Sequence, residues 1–337
     1  MSVIPTLPSE ILRCPACAGA FEAGDDVLRC VGCRRAFPVE EGIPRLFWPN
    51  EWEPGRDDVT ESIKAFYEQT PFPNYEDTDT LWSLREKAER GVFARLLNEQ
   101  VAPRARILEA GCGTGQLSNF LAAKSGRMVF GTDICLNSLR LGQAFKVRNR
   151  LDNVSFLQMN LFRPVFPKES FDVVISNGVL HHTSDPELGF RTLTPLLKPG
   201  GLVIIGLYNR FGRLSTDLRR KIFRLTRGHL LGLDPRLRRE NIGLVRKRTW
   251  FKDQYQNPHE SKHTIGEVLG WFREAGVEFL TSLPHAVAFD PFTADEQLFE
   301  KRPAGTRLDH ALVQLRILWT GGREGGFFTM IGRRPPA

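Results

Sequence analysis

No run of apolar residues in this chain reaches the roughly 20 positions that a membrane-spanning helix requires. The opening segment, Met1-Ser-Val-Ile-Pro-Thr-Leu-Pro8, has neither the basic start nor the long apolar core of a signal peptide. Together these absences predict a cytoplasmic protein. Internal repeats and low-complexity tracts are also missing. What remains is an ordinary globular composition, 41% hydrophobic and 25% charged, and 337 residues suffice for one large core or two. Cysteine is scarce, with six in all, yet four of them fall in a pattern. Cys14-Pro-Ala-Cys17 and Cys30-Val-Gly-Cys33 form two C-x2-C knuckles separated by twelve residues. Four thiolates so placed suit a tetrahedral structural Zn2+ with no open coordination position, although rubredoxin-like iron uses the same ligand set. Two disulfides fit poorly with a chain that lacks a secretion signal. Residues 10–48 are therefore expected to form a zinc ribbon whose folding energy comes mainly from metal.

The most informative stretch is Ile107-Leu-Glu-Ala-Gly-Cys-Gly-Thr-Gly115. An apolar strand runs into Glu109, glycines alternate at 111, 113 and 115, and a helix pattern follows. Such a turn lets backbone amides approach a ligand. Asp133 closes the next strand, Met128-Val-Phe-Gly-Thr-Asp133, where a carboxylate meets a ribose diol in doubly wound sheets. The spacing is G-x-G-x-G rather than the dinucleotide G-x-G-x-x-G, and Glu109 would repel a pyrophosphate. An ammonium and a sulfonium suit that acid better, which points to S-adenosylmethionine. Cys112, inside the loop, and Cys135, after Asp133, read as small packing residues.

Strands are expected at 105–110, 128–133, 154–159, 171–176 and 201–207, alternating with helices at 115–124, 135–149 and 185–197. This alternation predicts an α/β fold with a parallel sheet built from right-handed crossovers. A helix at 264–275, a strand near 277–282 and a last strand at Gly326-Phe-Phe-Thr-Met-Ile-Gly332 follow. Helical periodicity over 59–98, broken by Thr70-Pro-Phe-Pro-Asn-Tyr75, suggests an N-terminal helical lid in which Tyr67, Phe72 and Tyr75 wall an acceptor pocket. The domain at 99–337 carries two interruptions, 208–262 and 284–320, which read as insertions at the ligand-binding edge.

Glu109 to Gly115, Asp133, Met159-Asn-Leu161, Phe171-Asp-Val-Val-Ile-Ser-Asn177 and Leu197-Lys-Pro-Gly-Gly-Leu-Val203 stand in the order found in class I S-adenosylmethionine-dependent methyltransferases. The chain resembles that family over about 100–210. The resemblance implies a Rossmann-like seven-stranded sheet with an antiparallel last strand. Asn177-Gly-Val-Leu-His-His182 followed by Asp185-Pro is similar to the branch that methylates small molecules, quinone-biosynthesis enzymes included. By the same resemblance, Gly111, Cys112, Gly113, Thr114 and Gly115 hold the cofactor's amino-acid part, and Glu109 meets its ammonium. Asp133 takes the ribose, Ile134 packs against the adenine, Leu161 is a further cofactor contact, and Asn177 lies nearest the transferring methyl. Asn160 stands where the family usually has aspartate facing the adenine amino group. An amide oxygen still accepts that bond.

Methyl transfer is an in-line displacement and needs a base only for a protonated nucleophile. His181 and His182 are the histidines near these motifs, and His182 is favoured as base. A helix cap and a packing contact would equally explain the pair. The chain lacks the Asn-Pro-Pro-aromatic of adenine methylases, a nucleophilic cysteine of the pyrimidine type and the paired glutamates of arginine methylases. Small-molecule oxygen or carbon acceptors are left. Net charge is +7, and residues 210–252 hold fourteen Lys or Arg against three acids. Within 211–227, Phe211, Leu214, Leu218, Ile222 and Leu225 recur at helical spacing, and Arg213, Arg219, Arg220, Arg224 and Arg227 take other faces. This basic helix either packs its apolar stripe on the sheet, lies on the anionic inner face of a membrane near a lipid-like substrate, or binds nucleic acid. A ribbon ahead of this fold is also similar to ribosomal-RNA guanine methyltransferases, so an RNA acceptor is the rival expectation. A non-catalytic cofactor-binding scaffold is another.

Overall fold

In the computed structural model, which describes residues 11–24, 26–76, 79–124, 126–226, 231–238, 243–324 and 326–336, two sheets share one apolar core. Glu10, at the expected ribbon boundary, and Arg227, at the end of the basic helix, lie outside the described residues. The small sheet has four antiparallel strands in the order β1 (Phe21–Ala23), β2 (Val27–Cys30), β3 (Ala36–Glu40) and β4 (Ile43–Pro44). Three helices follow: α1 (Thr60–Gln69), α2 (Leu81–Arg90) and α3 (Val92–Gln100). Thr80 starts α2 with a reciprocal cap in which Thr80 and Ser83 each accept the other's backbone N–H.

The large sheet is built from β5 (Arg106–Ala110), β6 (Met128–Asp133), β7 (Val154–Gln158), β8 (Phe171–Asn177), β9 (Leu197–Tyr208), β10 (Glu278–Leu283) and β11 (Phe327–Arg333). Helices α4 (Gln116–Ala122), α5 (Leu136–Arg148), α6 (Pro186–Leu193), α7 (Leu214–Leu225), α8 (Leu244–Gln256), α9 (Ile265–Glu274) and α10 (Arg307–Glu324) connect or extend it. Spatial order is β10-β11-β9-β8-β5-β6-β7. The strands from β9 to β7 run parallel, while β11 is antiparallel to both β9 and β10. This is the expected seven-stranded α/β architecture. Its inner strands are rich in buried apolar residues because helices cover both faces. Order reverses between β5 and β8, so a crevice opens at the carboxyl ends of β5, β6 and β8.

Two elements differ from expectation. The helix expected to reach 197 stops at Leu193, and Thr194–Leu196 forms a 3-10 turn around Pro195, whose missing N–H ends the helical ladder. This releases β9 to begin at Leu197 instead of 201. The basic helix starts at Leu214, and it faces the other way from a helix packing its leucines on the sheet. Leu218 and Leu225 are 60% and 85% exposed, whereas Arg213 is fully buried. The cause is Glu260, 47 residues on and itself buried. Its carboxylate accepts from Arg213 Nε at 3.0 Å and Nη2 at 2.5 Å, and from Arg220 at 3.1 Å. A buried acid needs such a partner, and the pairing turns the arginine face inward.

The ribbon is joined to the large sheet by backbone and core alike. Leu46 N donates to Gln158 O at 2.9 Å, so the chain after β4 runs parallel to β7. Arg13 N donates to Val165 O, and Gln143 on α5 donates to Glu41 O. Leu12, Phe37 and Leu46 pack in the same buried cluster as Phe130, Leu157 and Phe166. Among the described residues, no helix is long and apolar enough to cross a membrane.

Candidate active site and cysteine cluster

The Sγ atoms of Cys14, Cys17, Cys30 and Cys33 all lie within 4.8 Å of one another. Zinc–sulfur bonds of about 2.3 Å require sulfurs at this kind of spacing around a tetrahedral ion, so the donor set fits the metal.

The cofactor loop is locked by its neighbours. Gly111 N and Cys112 N both donate to Thr132 O, at 2.7 and 2.9 Å, which draws the loop onto the end of β6. Gly113 has φ +54°, and a Cβ there would meet Phe72 O at 2.4 Å. The segment after α1 therefore touches the loop where only glycine fits. Asp133 stands centrally. Its Oδ2 accepts from Gly113 N at 2.8 Å and its Oδ1 from Cys135 N at 2.9 Å. Burial raises its carboxyl to about 6 even though these amides oppose the rise.

Glu109 is buried at the end of β5, and Ser118 Oγ donates to its Oε2. Burial pushes Glu109 up to about 8, the Ser118 bonds pull it down, and the Asp133 charge adds to the rise. A buried acid at that value is mostly neutral at pH 7 until a cation faces it. The sign follows. Binding an ammonium favours the ionised form, so a proton leaves on binding below pH 8, and affinity falls as pH falls. For the cofactor product S-adenosylhomocysteine, the dissociation constant is expected to rise by up to about tenfold per pH unit below 8. Glu109→Gln should flatten that dependence. Calorimetry in two buffers of different ionisation enthalpy reads the released proton; none released at pH 7 would exclude the ammonium from this carboxylate.

A cavity of about 1880 Å3 runs from this loop along the sheet's carboxyl edge. Of the expected cofactor residues, Glu109, Gly111, Cys112, Gly113, Asp133, Ile134, Asn160, Leu161 and Asn177 line it. Thr114 and Gly115 do not. Thr114 Oγ1 donates to Pro73 O, and Gly115 begins α4 in the left-handed region with Phe156 against it. Asn177 borders the cavity, while its Oδ1 is buried against Gly206 with no hydrogen-bond partner. Tyr67 and Phe72 wall the cavity as expected, while Tyr75 turns away to stack on Phe145 at 4.6 Å. Cys112 and Cys135 are buried, and Cys135 Sγ caps α5 by accepting from Ser138 N.

The two histidines separate in role. His181 is fully buried, stacks against Tyr208 at 4.2 Å and is absent from the cavity wall, which corrects its candidacy as a base. The 3-10 turn at Leu180–His182 keeps the adjacent rings in contact, with centroids 4.2 Å apart, but only His182 reaches the cavity. His182 lines the cavity, and its Nδ1 lies 2.8 Å from His259 O. A carbonyl only accepts, so Nδ1 carries the proton and Nε2 keeps a bare lone pair. Burial lowers His182 below its ordinary 6.5, opposed by the nearby Asp253 charge, which leaves it a neutral base near pH 7.

Sequence reasoning missed the groups around it. Tyr67 Oη donates to Asp253 Oδ1 at 2.8 Å, and Gln254 Nε2 donates to Asp253 Oδ2 and Tyr208 Oη, both at 2.8 Å. These polar groups come from α1, β9 and α8. The cavity lining also holds Phe289, Phe292, Leu312 and Leu315 together with His285, Asp290 and Arg316, while Phe327 packs against Tyr208. Asp253 and Gln254 lie in an interruption of the α/β rhythm and carry no motif. Only their place at the ligand-binding edge hinted at them.

Fold and loop together are those of a class I S-adenosylmethionine-dependent methyltransferase domain. The family model for the methyltransferase domain matches residues 108–205, and the Trm112p-like protein model matches residues 9–42, so the chain joins a Trm112p-like domain to that catalytic fold. An uncharacterised protein of Synechococcus sp. is 28% identical over 252 residues, 66% of this chain and 60% of its own length. A ubiquinone biosynthesis O-methyltransferase of Albidiferax ferrireducens is 31% identical over 106 residues, 31% of this chain and 42% of its own. A ubiquinone/menaquinone biosynthesis C-methyltransferase of Shewanella sp. is 30% identical over 128 residues, 36% of this chain and 49% of its own. The chain thus spans about half the length of the curated relatives it matches. Among solved structures, the complex of the Haloferax volcanii Trm112 methyltransferase activator with a putative methyltransferase aligns at 16% identity with a TM-score of 0.48, covering 82% of this chain and 98% of that one.

Proposed function

We propose that this protein transfers the methyl group of S-adenosylmethionine to an oxygen or carbon of a small, largely apolar molecule of lipid-like or quinone-like character. The observation that carries this reading is that one cavity is lined by the glycine loop and Asp133, by His182 and Asp253, and by phenylalanine and leucine side chains. Ordinary small-ligand pockets hold roughly 300–1000 Å3. This one has room for the cofactor and a second molecule. Glu109 faces the ammonium, Asp133 the ribose and Asn177 the transferring methyl. Ile134, Asn160 and Leu161 border the adenine. The four ribbon cysteines hold a structural zinc ion. His182 Nε2 takes the acceptor's proton while the main chain at His259 fixes its tautomer.

Incubation with methyl-labelled cofactor and cell extract, followed by fractionation, tests the reading. Label is expected in the solvent-extractable small-molecule pool. Label in RNA would replace that acceptor with the rival, which the Trm112p-like match favours. Unlabelled fractions throughout would leave a cofactor-binding scaffold.

The exposed leucines of α7, Leu214, Leu218 and Leu225, stand beside exposed Lys221 and Arg224. This arrangement supports peripheral contact with an anionic membrane that supplies the acceptor. The protein is expected to float with vesicles rich in anionic lipid at low salt and to be released at high salt, with Leu218→Ser/Leu225→Ser staying unbound. Equal flotation of that variant would remove α7 as the contact.

A further inference from the structure

Asn160 follows β7 and is 1% exposed, yet it borders the cavity beside Ile134 and Leu161. Its Nδ2 donates twice, to Trp48 O at 2.9 Å and to Asn50 Oδ1 at 2.8 Å, while its Oδ1 accepts from Phe162 N at 3.1 Å. The backbone carbonyl of Trp48 settles which end of the amide is nitrogen, because a carbonyl cannot donate. Trp48 is an extension of the ribbon: its ring packs edge-on to Phe37 of β3, with the Arg35 guanidinium 5.0 Å from the ring centre. Asn50 passes the connection on. Its own Nδ2 donates to Asp58 Oδ2 and Thr60 Oγ1, both at 3.0 Å, and Thr60 opens α1 and lines the same cavity.

One amide at the cavity wall therefore touches the ribbon's tail directly and reaches the start of α1 through Asn50. Two N–H groups held in one plane fix the orientation of the carbonyl oxygen as well. Only an amide serves here, since a carboxylate would face two acceptor oxygens with no proton to offer.

We propose that Asn160 is a positioning residue that couples the ribbon to the cofactor site, so that cofactor affinity depends on the ribbon being folded around its metal. The inference rests on the proposed reading that the adenine lies beside Ile134 and Leu161. When the ribbon loosens, Trp48 and Asn50 release the amide, its plane is held only by Phe162 N, and the start of α1 loses its hold on the cavity wall.

The test measures the dissociation constant of S-adenosylhomocysteine by calorimetry on the full chain. Wild type, Asn160→Asp, Asn50→Ala and the double variant are each measured zinc-loaded and after chelation. Chelation is expected to weaken wild-type binding about tenfold, the scale of one or two lost hydrogen bonds. Asn160→Asp should be weakened about tenfold with zinc present and change less than twofold on chelation. Asn50→Ala leaves residue 160 intact, so it should weaken binding by less, and the double variant should be no weaker than Asn160→Asp alone because the two share one bond. A wild-type constant unmoved by chelation would overturn the proposal, as would an equal shift in wild type and Asn160→Asp. If chelation unfolds the whole chain, additive losses in the zinc-loaded double variant overturn it instead. A lowered melting temperature with unchanged affinity in Asn160→Asp would reduce the residue to a structural role and also overturn it. A wild type that binds no S-adenosylhomocysteine at all would sink the cofactor reading itself, and the coupling with it.

Discussion

Replacing His182 with alanine is expected to lower turnover by about 10²- to 10⁴-fold, the usual range for a lost general base, while cofactor affinity stays within about twofold. The split follows from where the ring sits. His182 lines the acceptor side of the cavity, bonded through Nδ1 to His259 O, and no residue of the glycine loop touches it among the described hydrogen bonds and ring contacts. Its neutral form is the active one. Burial holds its proton affinity below the ordinary imidazole value, so the acid limb of the rate profile should fall below pH 6.5. Above that limb the base is already neutral, and rate should not rise further through this group. Steady-state turnover against pH, with a separate binding measurement, checks both halves. An alanine variant that keeps its turnover would show that the acceptor reaches the methyl group already deprotonated or needs no base.

Asp133→Ala should have the complementary effect, with cofactor binding weakened by about 30- to 1000-fold, or about 2–4 kcal/mol. Two losses combine. The carboxylate would no longer accept from a ribose diol, and Gly113 N and Cys135 N would lose the oxygens they now reach at 2.8 and 2.9 Å. The second loss loosens the glycine loop itself. Asp133→Asn should recover only a fraction, because its NH2 would oppose one of those two amide donors. Since Asp133 sits at about 6, its own contribution is complete above that pH and fades as pH falls through it. Calorimetric titration with S-adenosylhomocysteine reads the change. A weakening of less than about fivefold would place the ribose elsewhere.

The architecture was legible in the sequence where burial imposes a pattern. Parallel strands covered on both faces must be rich in apolar residues, so β5, β6, β7 and β8 stood out with their boundaries. The glycine loop and the cysteine knuckles showed because few residue types satisfy their backbone and ligand chemistry. Amphipathicity was less informative at α7. Its leucines and arginines at helical spacing define two faces but not which one turns inward, and Glu260 decides that from 47 residues away. The histidine pair was legible as a motif and not as a geometry, since the two rings touch and only His182 borders the cavity. Asp253 and Gln254 left no signature at all. Each gains its role from Tyr67 and Tyr208, which are distant in sequence.

The parallel run of the chain after β4 alongside β7 has a consequence for how this protein is made and handled. β7, Val154–Gln158, is the outermost strand on its side of the large sheet, and the chain at Arg45 and Leu46 occupies its outer rim at Gln158. A protein cut within the polar stretch before α1 would uncover that rim and the apolar side chains of Leu157 and Phe166 that pack beneath the ribbon. Unpaired strand rims recruit other chains by backbone pairing and are a common origin of aggregation. The fold freed of its first 50 or so residues is therefore expected to be less soluble than the full chain, read as aggregation in light scattering; equal solubility would show that the ribbon does not shield that rim.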